Sequence, residues 1–112
     1  MTLDEISKYY NVDIKKLKFF EKNKLITITN VEFKDKDLKK LSILCTLYDS
    51  GLDADNIKRF IKLDYSNEKS EQIKLLNLYR NNLLDSIHKK QKSLDNLDYI
   101  IYKIKNKNQQ IF

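Results

Sequence analysis

The sequence predicts a mostly α protein, with a head of four short helices and a very short extended segment, followed by one long C-terminal helix. Three observations predict it. Proline is absent and Gly51 is the only glycine, so little in the chain breaks a helix. Apolar residues recur at spacings of three and four over most of the length. From about Ser70 to Lys105 nothing interrupts that pattern, a run far longer than a typical globular helix.

Taken in order, Thr2 followed by Glu5 makes a capping box, and Leu3, Ile6, Tyr9 and Tyr10 form the apolar side of a helix ending near Tyr10. Asn11 and Val12 then form a tight turn. Asp13 is a good N-cap for a second helix whose apolar residues are Ile14, Leu17, Phe19 and Phe20, and whose polar ones are Lys15, Lys16, Lys18 and Lys22. Two short helices around a tight turn give a helix-turn-helix outline. Between Leu25 and Phe33 the pattern alternates, with Ile26, Ile28 and Val31 set among Thr27, Thr29 and Asn30, which predicts a short extended segment or hairpin. A third helix follows from about Asp35 to Ser50, turning Leu38, Leu41, Leu44, Cys45, Leu47 and Tyr48 inward. Gly51 falls where a helix-terminating left-handed residue belongs, and Asp53 caps a fourth helix that buries Ile57, Phe60 and Ile61.

The last helix carries a seam of Ile73, Leu76, Arg80, Leu83, Ile87, Lys90, Leu94, Leu97, Ile101 and Ile104. A head of this size cannot cover a stripe some 45 Å long at 1.5 Å per residue. The seam therefore predicts a coiled-coil homodimer through Ile73, Leu76, Leu83, Ile87, Leu94, Leu97, Ile101 and Ile104, in either a parallel or an antiparallel sense.

Composition excludes much chemistry. With one glycine there is no Gly-rich phosphate loop and no dinucleotide fingerprint. No His, Cys and carboxylate set shares a plausible site, so neither an enzyme, a metal centre nor a cofactor is expected. Cys45 stands alone, which fits a reducing cytoplasm, and His88 is solitary and expected on the surface of the long helix. No signal peptide and no membrane-length apolar run is seen, so no membrane partner is expected. The formal charge is +6, with 22 Lys and Arg against 16 Asp and Glu, and favours an anionic partner. Locally, residues 15 to 24 hold five Lys against Glu21, enough to attract a phosphate backbone.

The order helix, turn, helix, short wing, two helices and a long dimerisation helix resembles the MerR family of bacterial transcriptional regulators. The opening "MTLDEISKYYNVDIKKLKFFEKNKLI" is similar to that family's start, where the second helix ends in Arg-aromatic-Tyr-Glu before Gly-Leu. Here the stretch reads Lys18-Phe19-Phe20-Glu21, then Lys22-Asn23-Lys24-Leu25. The segment "FKDKDLKKLSILCTLYDSGLDADNIKRFIKL" resembles the family's second helical pair. The resemblance implies a winged helix-turn-helix head over 1–63, a joint over 64–69, a dimerisation helix over 70–106 and a tail over 107–112. It further implies that Lys15, Lys16, Lys18 and Phe19, with Lys22 beside them, face the major groove or its flanking phosphates.

The chain departs from the family at particular positions. Phe20 and Phe33 stand where Tyr is usual, Val31 where the wing carries Arg, and the wing from Thr27 to Glu32 holds no cation. Lys24 replaces a glycine, so Asn23 or Lys24 has to bear any left-handed conformation there, and Asn tolerates it better. No sensor residues follow the long helix, and no small-molecule site is evident. The reading that results is a homodimeric, sequence-specific DNA-binding transcriptional regulator of the MerR type, acting on promoter or operator duplex. The departures define an alternative from another class, a protein-interaction dimer on a MerR-like scaffold that has lost most DNA contacts.

Overall fold

A computed structural model describes residues 2–27, 34–107 and 110–112, with the backbone alone at Lys107. Five helices occur among them: α1 (Leu3–Tyr10), α2 (Ile14–Lys22), α3 (Asp35–Asp49), α4 (Ala54–Tyr65) and α5 (Lys69–Lys107). No strand occurs among the described residues, and the greater part of the predicted wing, including Ile28, Val31 and Phe33, lies outside them.

The caps form as the residue types dictate. Thr2 Oγ1 accepts from the Glu5 N–H at 3.2 Å, Asp13 from the Lys15 N–H at 2.9 Å, and Asp53 from the Asn56 N–H at 2.9 Å. Asp37 closes the start of α3 by accepting from the Lys34 N–H at 3.1 Å. The polar joint is shorter than the predicted 64–69, because α4 continues to Tyr65 and α5 starts at Lys69. Gln72 reaches back across it, its side-chain amide donating to the Phe60 carbonyl and to the Asp64 carboxylate.

The helix exits share one device. At the ends of α2, α3 and α4 the chain turns through a left-handed residue, Lys24 (φ 59°), Gly51 (φ 97°) or Asn67 (φ 55°). The N–H of the next residue then returns to a carbonyl five positions back, Leu25 to Phe20, Leu52 to Leu47 and Glu68 to Leu63, at 2.8 to 3.1 Å. Asn11 (φ 54°) does the same work after α1, where Val12 N–H bonds to the Ser7 carbonyl and the Ser7 hydroxyl donates to the Val12 carbonyl. With one glycine available, two of the four ends use Asn, which tolerates the region, and one uses Lys, whose β-carbon makes it cost roughly 1 kcal/mol.

Contacts divide the chain into a compact unit, Met1–Leu76, and a second unit, Asn77–Phe112. Within the first, α1 packs on α2, α2 on α3 and α3 on α4. Its core is Ile6, Leu17, Phe20, Leu41, Leu44, Leu47, Leu52, Ile57, Leu63 and Leu75. Leu75 places the first two turns of α5 in the head, beyond the boundary at residue 63 that the sequence predicts. Tyr9, expected on the inner side of α1, is instead 74% exposed, and Phe60 and Ile61 are only half-buried. An eight-residue helix has room for one buried row, and Ile6 fills it.

The second unit is the remainder of α5 and the residues after it. A 39-residue helix is about 58 Å long at 1.5 Å per residue. Leu83, Ile87, Leu94, Leu97, Ile101 and Ile104 are between 42% and 60% exposed. No helix among the described residues is long and apolar enough to cross a membrane.

Candidate nucleic-acid interface

The basic cluster falls on α2 and the turn after it. Helical spacing puts Lys15, Lys18 and Lys22 at i, i+3 and i+7, which is one face, and all three are exposed. Lys15 to Lys22 covers about 10 Å along the axis, comparable with the roughly 12 Å width of a major groove. Leu17 and Phe20, on the opposite side, are fully buried and hold the face outward. None of these three lysines pairs with a carboxylate among the described residues.

Lys16 behaves differently. Its ammonium meets the Asp49 carboxylate at the end of α3, at 2.6 Å, and its side chain is only 25% exposed. Bonding to Asp49 holds the Lys16 pKa above its ordinary value. One of the four sequence-predicted lysines is thus turned sideways onto α3, about 100° around the helix from Lys15.

Phe19 is half-buried and belongs to an aromatic group. Its ring lies edge-on to Tyr48 at 5.1 Å and to Phe20 at 6.0 Å, while Phe20 meets Tyr48 at 5.9 Å. This trio and the Lys16–Asp49 pair fasten α2 to α3, so the lysine face is held on a braced helix. Tyr48 and Asp49 are the residues that sequence reasoning missed for this surface. Only their place on the helix end facing α2 marks them, and no local pattern signals it.

At the helix exit Lys24 takes the left-handed conformation and Asn23 does not. Asn23 instead donates its side-chain amide at 2.8 Å to the Phe19 carbonyl, which also accepts the Asn23 backbone N–H at 3.1 Å. Its better tolerance of positive φ is therefore unused, contrary to the sequence-based preference.

Cys45 is half-buried on α3, and burial pushes its thiol pKa up, with Lys16 pulling weakly the other way. Among the described residues no three His, Cys, Asp or Glu side chains gather closely enough to hold a metal ion. Compared with known protein families, curated proteins and solved structures, the chain matches none.

Proposed function

We propose that the chain is a homodimeric, sequence-specific DNA-binding transcriptional regulator of the MerR type, with α2 as the helix that enters the major groove. The observation that carries this reading is the exposed row Lys15, Lys18 and Lys22, backed by a fully buried Leu17 and Phe20. A row of ammonium groups that pair with no carboxylate among the described residues suits phosphate neutralisation, which supplies most sequence-independent affinity for duplex. Phe19, at the border of that face, is available for apolar contact with thymine methyl groups at its exposed edge. Lys16, neutralised by Asp49, adds little to that field while their contact lasts.

The bare seam of α5 supports self-association. Paired antiparallel, Ile73 meets Ile104 of the second copy, Leu76 meets Ile101, Arg80 meets Leu97, Leu83 meets Leu94 and Ile87 meets Lys90. Every polar seam residue then faces an apolar one and can lead its charge out to water along its aliphatic stem. A parallel pair would stack Arg80 on Arg80 and Lys90 on Lys90, which like-charge repulsion disfavours. Such an antiparallel pair has a two-fold axis, which matches a two-fold symmetric operator.

Duplex affinity measured against salt tests the function. Three phosphate contacts per head, six per dimer, give a slope near about −5 in log affinity against log salt. Replacing Lys15, Lys16 and Lys18 together with Glu should abolish retention. Unchanged DNA behaviour in that variant would overturn the reading and favour the protein-interaction dimer.

A further inference from the structure

We infer that Lys24 is an additional contact for a phosphodiester backbone, held at the exit of α2 at the expense of the fold's own stability. The inference rests on the duplex-binding reading of α2. Among the described residues, the non-glycine positions at positive φ are Asn11, Lys24 and Asn67. Asparagine adopts that region readily, whereas a lysine there sets its β-carbon against the backbone. Asn23 is adjacent and would suit the conformation, yet its amide is committed to the Phe19 carbonyl. The Leu25 N–H to Phe20 carbonyl bond at 2.8 Å and the Lys24 N–H to Glu21 carbonyl bond at 3.0 Å leave residue 24 no other backbone choice.

A cation does favour a helix C-terminus, but Lys22 already occupies the last turn. What a lysine offers at residue 24 beyond glycine is an ammonium on a four-carbon stem in water. Lys24 is exposed, and its ammonium makes no ion pair among the described residues. It stands two residues past Lys22, in the turn that follows the helix carrying Lys15, Lys18 and Lys22. A polyanion held by the three lysines of α2 would have a fourth cation within a few residues of the helix end, carried by a strained turn.

Strain and charge make opposite predictions for one substitution, so Lys24→Gly separates them in the full-length protein. Its urea midpoint should rise, while affinity for a mixed-sequence 25-base-pair duplex should fall by about 5- to 10-fold in 0.1 M salt for each head's lost contact. The salt slope should become shallower by roughly one per head. Lys24→Arg should keep affinity and slope near those of the natural chain, and Lys24→Asn should gain stability and lose affinity as glycine does. Higher stability with unchanged affinity and slope would overturn the contact, and a lower urea midpoint for Lys24→Gly would overturn the strain. Absence of salt-dependent duplex binding by the natural chain would instead sink the duplex reading of α2 and this inference with it.

Discussion

The head and the long helix use similar residues to opposite effect. Up to Leu76, leucine, isoleucine and phenylalanine disappear into one core, with Ile6, Leu17, Phe20 and Ile57 fully buried. Beyond Asn77, equally apolar side chains remain open to water over some thirty residues of α5. Four helices folding back on each other can satisfy their own stripes. A single helix presents an apolar surface that none of its own residues can cover. One stretch of this chain buries its apolar residues in its own core, and the other leaves them exposed along one helix.

Breaking the exposed seam of α5 should have the largest effect. Placing Asp at both Leu83 and Leu94 should halve the mass seen by light scattering and remove much of the helical circular dichroism, because an isolated amphipathic helix is marginal in water. The unfolding transition of the head should remain. An unaltered mass would show that the seam does not hold two copies together.

The converse change belongs in the head. Phe20→Ala empties a fully buried site that also supports the Phe19 and Tyr48 rings, and should lower stability by about 3 to 5 kcal/mol in urea titration. Sedimentation at concentrations well above dissociation should still report a dimer. A loss below about 1 kcal/mol would mean that the α2–α3 packing does not sustain the head.

A smaller effect should follow from Asp49→Asn. Lys16 would be released to the α2 surface, steepening the salt slope of duplex binding by up to about one per head and raising low-salt affinity several-fold. The same substitution should change the alkaline limb of the stability curve. Lys16 has a raised pKa in the folded chain, so its pairing contributes stability below the ordinary lysine value of 10.5 and loses it as pH rises through the raised one. Asp49→Asn should flatten that limb, and an unchanged profile above pH 10 would show that the pair is not maintained in solution.

The smallest effect concerns Cys45. Burial raises its thiol pKa and limits access, so alkylation by iodoacetamide near pH 8 should be several-fold slower in the folded chain than in urea. Equal rates would place the thiol at an open surface.

Much of the fold was legible because the signals are local. Thr2, Asp13 and Asp53 announce helix starts through their own side chains, and Gly51 announces an exit. The 3-4 spacing that predicts Leu17, Phe20, Leu41, Leu44, Leu47 and Ile57 as core operates within single helices. Leu63 and Leu75 were not legible in the same way, since each is buried by an element whose position depends on the α4–α5 joint. The candidate site divides along the same line. Lys15, Lys18 and Lys22 share a face by helix geometry alone. The diversion of Lys16 requires Asp49, thirty-three residues away, and the half-burial of Phe19 requires Tyr48.

Residue order by itself determined that this chain is helical, where four of its helices begin, and that its last helix carries an apolar stripe. Those properties depend on the backbone bonds and side-chain spacing within a few turns. Tertiary structure alone decided which lysine is held by a carboxylate, which residue takes the left-handed turn after α2, and how far the head extends into α5. Each of those outcomes is a choice between groups distant in sequence or competing for one hydrogen bond, and packing is what resolves such competition.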